Sequence, residues 1–269
     1  MLLTRLFLPL IFAPILFAGT SVRAQTVPPD SQVLHPLSLR ARASALPARF
    51  ELLVWNVLKG ERGEAWARDF RTLSANADVL LLQEGMRDSF MPAVLDSMNN
   101  LDAFLATSFT NNDGTSTGVI SASTVRPSSI HFRRSPHREP VTNTPKMSLF
   151  VTLPQAAGPS ILFVNTHGIN FVDGSKFETQ MRDIAQVLEA HAGPLVWAGD
   201  FNTWNGGRRR FLQTLTQSLG LRELIPEGRT ESMPLDHVFV RGCPSARLVV
   251  LESIRSSDHK PLQAQLNCP

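Results

Sequence analysis

The chain has 269 residues, 43% of them hydrophobic, and a formal net charge of +3. Arg5 and Arg23 lie in a leader-like segment, and the rest of the chain carries 24 basic and 23 acidic side chains. So even a balance argues against the strongly cationic class of non-specific nucleic-acid binders, while leaving DNA open as a substrate.

Residues 1–24 read as a cleavable signal peptide. Arg5 supplies positive charge, Leu6 to Ala18 is apolar apart from Pro9 and Pro14, and Val22-Arg23-Ala24 offers short side chains before a cut at Gln25. The apolar stretch is shorter than the ~20 residues of a spanning helix, so an exported protein is expected rather than an anchored one. Residues 25–49, with Pro28, Pro29, Pro36 and Pro47, read as a Pro-rich linker or extended lead-in. Residues 50–269 are long enough for one large domain with its own core.

Phe50 to Val57 is rich in β-formers, and Trp66, Phe70, Leu73 and Ala77 then recur at helical spacing. Asp78 to Gln83 reads as a strand buried on both faces, and Ser89 to Met98 as a second helix. Four more strands are predicted at 103–109, 118–123, 129–134 and 146–153, the first two separated by the turn Asn111-Asn112-Asp113-Gly114. A strand at 160–166 precedes a helix marked by Phe177, Met181, Ile184 and Leu188, which stops near Gly193-Pro194. A strand at 195–198, a helix through Phe211, Leu212, Leu215 and Leu219, and strands at 235–240, 247–251 and 262–266 complete the chain. This count predicts two packed sheets with outer helices and a ligand site at one rim of strand ends.

Polar residues close or interrupt five of the apolar runs: Asn56, Glu84, His167, Asp200 and Asp236. Asp200 and Asn202 lie two apart, so on extended backbone they face the same way. Asp258 and His259 are adjacent, so their side chains diverge and serve different parts. An acid and an amide at a strand end, with a late Asp-His pair, suit activation of water on a phosphate ester.

In order, Trp55-Asn56, Leu82-Gln83-Glu84, Asn165-Thr166-His167, Gly199-Asp200-Phe201-Asn202, Leu235-Asp236-His237 and Ser257-Asp258-His259-Lys260-Pro261 resemble the motifs of the endonuclease/exonuclease/phosphatase family. The resemblance runs from about Phe50 to Leu266. It implies a DNase I-like fold, a four-layer α-β-β-α sandwich of two mixed sheets with outer helices, and a phosphoesterase dependent on Mg²⁺ or Mn²⁺. It makes Glu84, Asn56 and Asp258 metal residues, with Asp200, Asn202, His167, Asp236 and His259 catalytic. Asp236 is implied as the partner of His259, and Asp200 and His259 both stand as candidates for the base. Leu58 occupies a position where many nuclease relatives carry an acid, and Lys59 follows it.

Lys59, Arg208 and Arg209 are candidate contacts for substrate phosphates, the two arginines within the run Arg208-Arg209-Arg210. The expected activity is a phosphodiesterase of endonuclease type on DNA or RNA, acting as a monomer. Near-neutral charge keeps a phospholipid or small-molecule esterase as the alternative, and a non-catalytic binding protein ranks below both. Cys243 and Cys268 are the only cysteines and are expected to pair in an oxidising compartment.

Overall fold

A computed structural model describes residues 25–227 and 234–269; the predicted signal peptide lies outside the described residues. In chain order the strands are β1 (Gln25–Thr26), β2 (Leu34–Leu39), β3 (Arg49–Asn56), β4 (Val79–Arg87), β5 (Asp102–Asn111), β6 (Ser116–Ser123) and β7 (Ser129–Arg134). They continue as β8 (Met147–Leu153), β9 (Ile161–His167), β10 (Leu195–Asp200), β11 (Arg222–Glu223), β12 (Asp236–Arg241), β13 (Ser245–Val250) and β14 (Leu262–Asn267). The helices are α1 (Glu64–Ser74), α2 (Met91–Ser97), α3 (Gly174–Ala190) and α4 (Gly206–Ser218).

One mixed sheet has the order β1-β5-β6-β4-β3-β14-β13, with β2 also on β5; the other has the order β11-β12-β10-β9-β8-β7. Period-two alternation decides which residues face where. In β3, Leu52 and Val54 turn inward to the inter-sheet core with Phe163, Val196 and Ala198, while Leu53 and Trp55 turn outward. Trp66 and Phe70 of α1 and Met91 and Leu95 of α2 cover that outer face. On the other sheet, Phe177, Met181, Ile184 and Leu188 of α3 and Leu212 of α4 pack on Leu162, Val164 and Trp197. The result is the expected four-layer sandwich.

Residues 25–49 are not a linker. β1 pairs with the end of β5 and β2 with its beginning, across a register shift between Pro36 and Ser38. The prolines concealed this segment, because proline is tolerated on an edge strand where no ladder donor is needed. Cys243 and Cys268 form a disulfide. Among the described residues, no helix is long and apolar enough to cross a membrane.

Candidate active site

Strand register brings the polar residues together. β3 and β4 run parallel with Asn56 opposite Gln83, and β9 and β10 run parallel with His167 opposite Asp200. Antiparallel β12 sets Asp236 opposite Asp200. β14 runs against β3 with Leu262 opposite Val54, so the segment just before β14 delivers His259 to the same rim. A one-residue slip in any pair would turn its functional side chain to the opposite face.

Asp200 is the centre of the group. Asn56 Nδ2 donates to its Oδ2 at 3.1 Å, with His167 Nε2 at 3.5 Å and His259 Nε2 at 3.7 Å from the same oxygen. The other oxygen accepts the Asn202 N–H at 2.9 Å. His259 Nδ1 lies 2.7 Å from Asp236 Oδ2. Burial and the nearby Asp236 charge push Asp200 up to about 7, against the opposing effects of His259, the Asn202 N–H and Asn56. Burial works to lower the pKa of His259, but the carboxylates of Asp236, Asp200 and Asp258 raise it to about 10. His167 is held well below the usual histidine range by burial and by the charges of Lys146, His259 and Lys59. At neutral pH the site therefore pairs an imidazolium, His259, with a neutral imidazole, His167.

The backbone around Asp200 is shaped for close approach. Gly199 has φ +137, and a Cβ there would stand 2.1 Å from the Thr166 carbonyl oxygen, so only glycine lets β9 and β10 meet. Asn202 has φ +53, and its Nδ2 donates to Gly168 O at 2.9 Å. Its backbone N–H and side-chain amide thus hold Asp200 and the loop after β9 in place.

Glu84 does not end its strand. β4 continues to Arg87 with a register shift between Leu82 and Gly85, and Glu84 sits in that irregularity with φ +52. Such a bulge re-aims a side chain. Its carboxylate meets the Lys59 ammonium at 3.2 Å. Although burial acts to lower the pKa of Lys59, Glu84 and Glu61 hold it above its usual value. Lys59 is thus tied to Glu84, and both line a cavity of about 190 Å³ with Lys146, Glu139 and His167. Asn56 Oδ1 accepts the Leu58 N–H at 3.2 Å. Asp258 is exposed, and its carboxylate accepts from Ser257 Oγ at 3.3 Å.

Arg208 is not a substrate contact. The Asn205 side chain caps α4 by accepting the Arg208 N–H, and the Arg208 side chain runs inward to 2% exposure. Its Nη1 donates to Ile169 O at 2.8 Å and Asn202 O at 3.0 Å, and its Nη2 to Val172 O at 2.9 Å. It is a clamp on the two loops that follow β9 and β10. Arg209, the next residue, is half-buried and lines a separate surface hollow with Arg210, Glu223 and His237.

Several residues, most of them within the motifs, hold the site in roles the sequence reading did not assign. Ser257 Oγ donates to Asn56 O at 2.7 Å, and Trp55 Nε1 donates to His259 O at 3.1 Å, which together tie the late Asp-His segment to β3. Gln83 Nε2 donates to Asn165 Oδ1 at 2.6 Å across the two sheets, and Asn165 Nδ2 donates to Ile120 O at 2.8 Å. The signal for this pair was present as two polar residues inside otherwise apolar, doubly buried strands. Gln180 Nε2, from α3, donates to His167 O at 3.1 Å.

The donor chemistry fits a hard divalent cation. Among the described residues, Asp200, Asp236 and His259 offer ligand atoms within 4.8 Å of one another, and Asp236 Oδ1 is buried with no hydrogen-bond partner. Oxygen-rich sets of this kind suit Mg²⁺ or Mn²⁺. Glu84 and Asp258, both expected as ligands, fall outside that group.

A buried carboxylate flanked by one protonated and one neutral histidine sits at the rim of a two-sheet sandwich, in a fold class whose members hydrolyse phosphoester bonds. The chain belongs to the endonuclease/exonuclease/phosphatase family, whose sequence profile matches residues 53–259. It is 35% identical over 221 residues to a UPF0294 protein of Vibrio parahaemolyticus, covering 78% of this chain and 75% of that protein. Its fold is similar to a family member from Leptotrichia buccalis, with TM-score 0.61 at 16% identity over 81% of this chain and 99% of that one. It is also similar to a 3′–5′ exonuclease of Neisseria meningitidis, with TM-score 0.56 at 20% identity over 81% and 99% of the two chains.

Proposed function

We propose that the protein is an exported, divalent-metal-dependent phosphodiesterase that cleaves nucleic acid by in-line attack of water. The observation that carries this reading is the convergence of Asn56, His167 and His259 on one oxygen of Asp200, with Asp236 behind His259. Asp200, poised at about 7, accepts the proton of the attacking water. His259 is already protonated at neutral pH and bound through Nδ1 to Asp236, so it stabilises charge on the phosphate rather than serving as base. Neutral His167 lies beside the same carboxylate and is placed to hydrogen-bond a phosphate oxygen or the leaving oxygen. Bound Mg²⁺ or Mn²⁺ supplies a Lewis acid for the phosphoryl group and for the departing alkoxide. Its donors would come from Glu84 and from the carboxylate of Asp236, whose Oδ1 has no hydrogen-bond partner, since a protonated His259 has no lone pair to give.

Export is supported by the leader-like residues 1–24 and by the Cys243–Cys268 disulfide, which suits an oxidising compartment. A nucleic-acid substrate is supported by the basic residues Arg209 and Arg210 near the start of α4 and by the similarity in fold to the Neisseria exonuclease. The test is to offer the purified protein plasmid DNA, single-stranded DNA, RNA, sphingomyelin and a simple diester, with Mg²⁺, Mn²⁺ or EDTA. Cleavage of nucleic acid that EDTA abolishes, and that drops at least ~10²-fold in Asp200→Ala, is expected. Full activity in a folded Asp200→Ala variant, or hydrolysis of sphingomyelin alone, overturns the reading.

A further inference from the structure

Two large apolar side chains stand out in water beside the catalytic group. Trp204 is 46% exposed and Phe171 72% exposed. Each lies on a loop that leaves a catalytic strand, Phe171 four residues after His167 and Trp204 two residues after Asn202. Two residues of extended chain span at most about 7 Å, so the Trp204 backbone lies that close to Asn202.

Trp204 is a held surface. Its Nε1 donates to Asn170 Oδ1 at 2.9 Å, and the buried Arg208 guanidinium lies 5.0 Å from its ring centroid. Asn170 is held in turn by Glu139, which accepts the Asn170 N–H at 2.9 Å. Phe171 follows Asn170 with φ +54, a left-handed conformation that a bulky residue adopts only when its surroundings impose it. Its N–H donates to Asn170 Oδ1 at 2.9 Å, so one amide oxygen holds the Trp204 ring and the Phe171 backbone. The guanidinium lies over the indole, and nearly half of the residue remains exposed.

We propose that Trp204, with Phe171 beside it, is a stacking platform for an unpaired base next to the scissile phosphate, which makes single-stranded nucleic acid the preferred substrate. This rests on the phosphodiesterase reading above. A flat ring pinned at its N–H and backed by a cation suits the π-face of a base, which every nucleotide carries whatever its sequence. A lipid surface is better met by mobile side chains free to insert, and the hydrogen bond from Trp204 Nε1 to Asn170 Oδ1 opposes that mobility of the indole.

Binding is measurable apart from catalysis. Of the four tryptophans, Trp55, Trp66 and Trp197 are buried, so quenching of fluorescence by an added ligand reports Trp204. In EDTA, a single-stranded oligonucleotide is expected to quench it, whereas a blunt duplex and an oligonucleotide of abasic (tetrahydrofuran) residues leave it unchanged. Equal quenching by the abasic strand, no response to any nucleic acid, or a blue shift with phosphatidylcholine vesicles each overturns the platform. With metal present, Trp204→Ala should raise KM for single-stranded DNA about 5- to 100-fold with kcat little changed, and Trp204→Phe should recover most of the loss. Cleavage of the abasic strand should stay the same in both variants. Failure to cleave either strand despite quenching would sink the catalytic reading and leave the platform standing.

Discussion

Asp200 Oδ2 receives an amide donor from Asn56 and faces two imidazole nitrogens, yet its carboxyl remains a weak acid because it is buried beside Asp236. Ionisation is therefore harder in the folded protein than in the unfolded chain. The contribution of Asp200 to stability is complete below its ordinary value of 3.8 and is lost as pH climbs through about 7. Asp200→Asn cannot ionise and escapes that loss. In metal-free urea titrations, the variant should gain on the native protein steadily between about pH 4 and 7, then hold a constant difference. A constant difference across the whole range would mean that Asp200 titrates as an ordinary carboxyl. His259 has the same sign in a higher window: its stabilising charge is fully present below 6.5 and is lost as pH climbs through about 10.

At the scale of elements, the site depends on loops that strands alone do not hold. The loop after β9 carries Ile169, Asn170 and Val172, and the loop after β10 carries Asn202 and Trp204; Arg208 at the start of α4 binds both. Removing its guanidinium leaves three carbonyl oxygens without that donor, at about 1 kcal/mol or more for each that stays dry. Arg208→Met should thus lower unfolding free energy by about 3 kcal/mol and speed hydrogen exchange across residues 168–173. Unchanged stability and unchanged exchange would show that the clamp is dispensable. This role was not legible in the chain, where Arg208 stands in a run of three arginines that looks solvated. Only the Asn205 cap, which sets the helical phase of α4, turns the first of them inward. The strands were far more legible. Doubly buried runs such as Leu80 to Leu82 and Phe163 to Val164 exclude most alternatives, and the site motifs sit on or beside their ends. What such patterns do not contain is the irregularity at Glu84, because a bulge is a property of two paired strands rather than of one.

At the scale of the molecule, the sandwich separates chemistry from closure. The catalytic group occupies the rim where β3, β9 and β10 end, while β14 finishes at the opposite rim with Asn267 beside Arg49 at the start of β3. Cys268 follows immediately, and Cys243 lies between β12 of one sheet and β13 of the other. Both cysteines are buried in the core between the sheets, so their bond joins the two layers far from Asp200. Closing a loop of 25 residues is worth about 3 kcal/mol through restriction of the unfolded chain. The double variant Cys243→Ala with Cys268→Ala should lose about that much in urea unfolding, and dithiothreitol should then have no effect on it. Its kcat/KM, measured well below its melting temperature, should match that of the native protein, because the site is held by Ser257 and Trp55 at the other end of β3. A drop in kcat/KM without a drop in stability would show instead that the C-terminal staple transmits strain through β14 to His259.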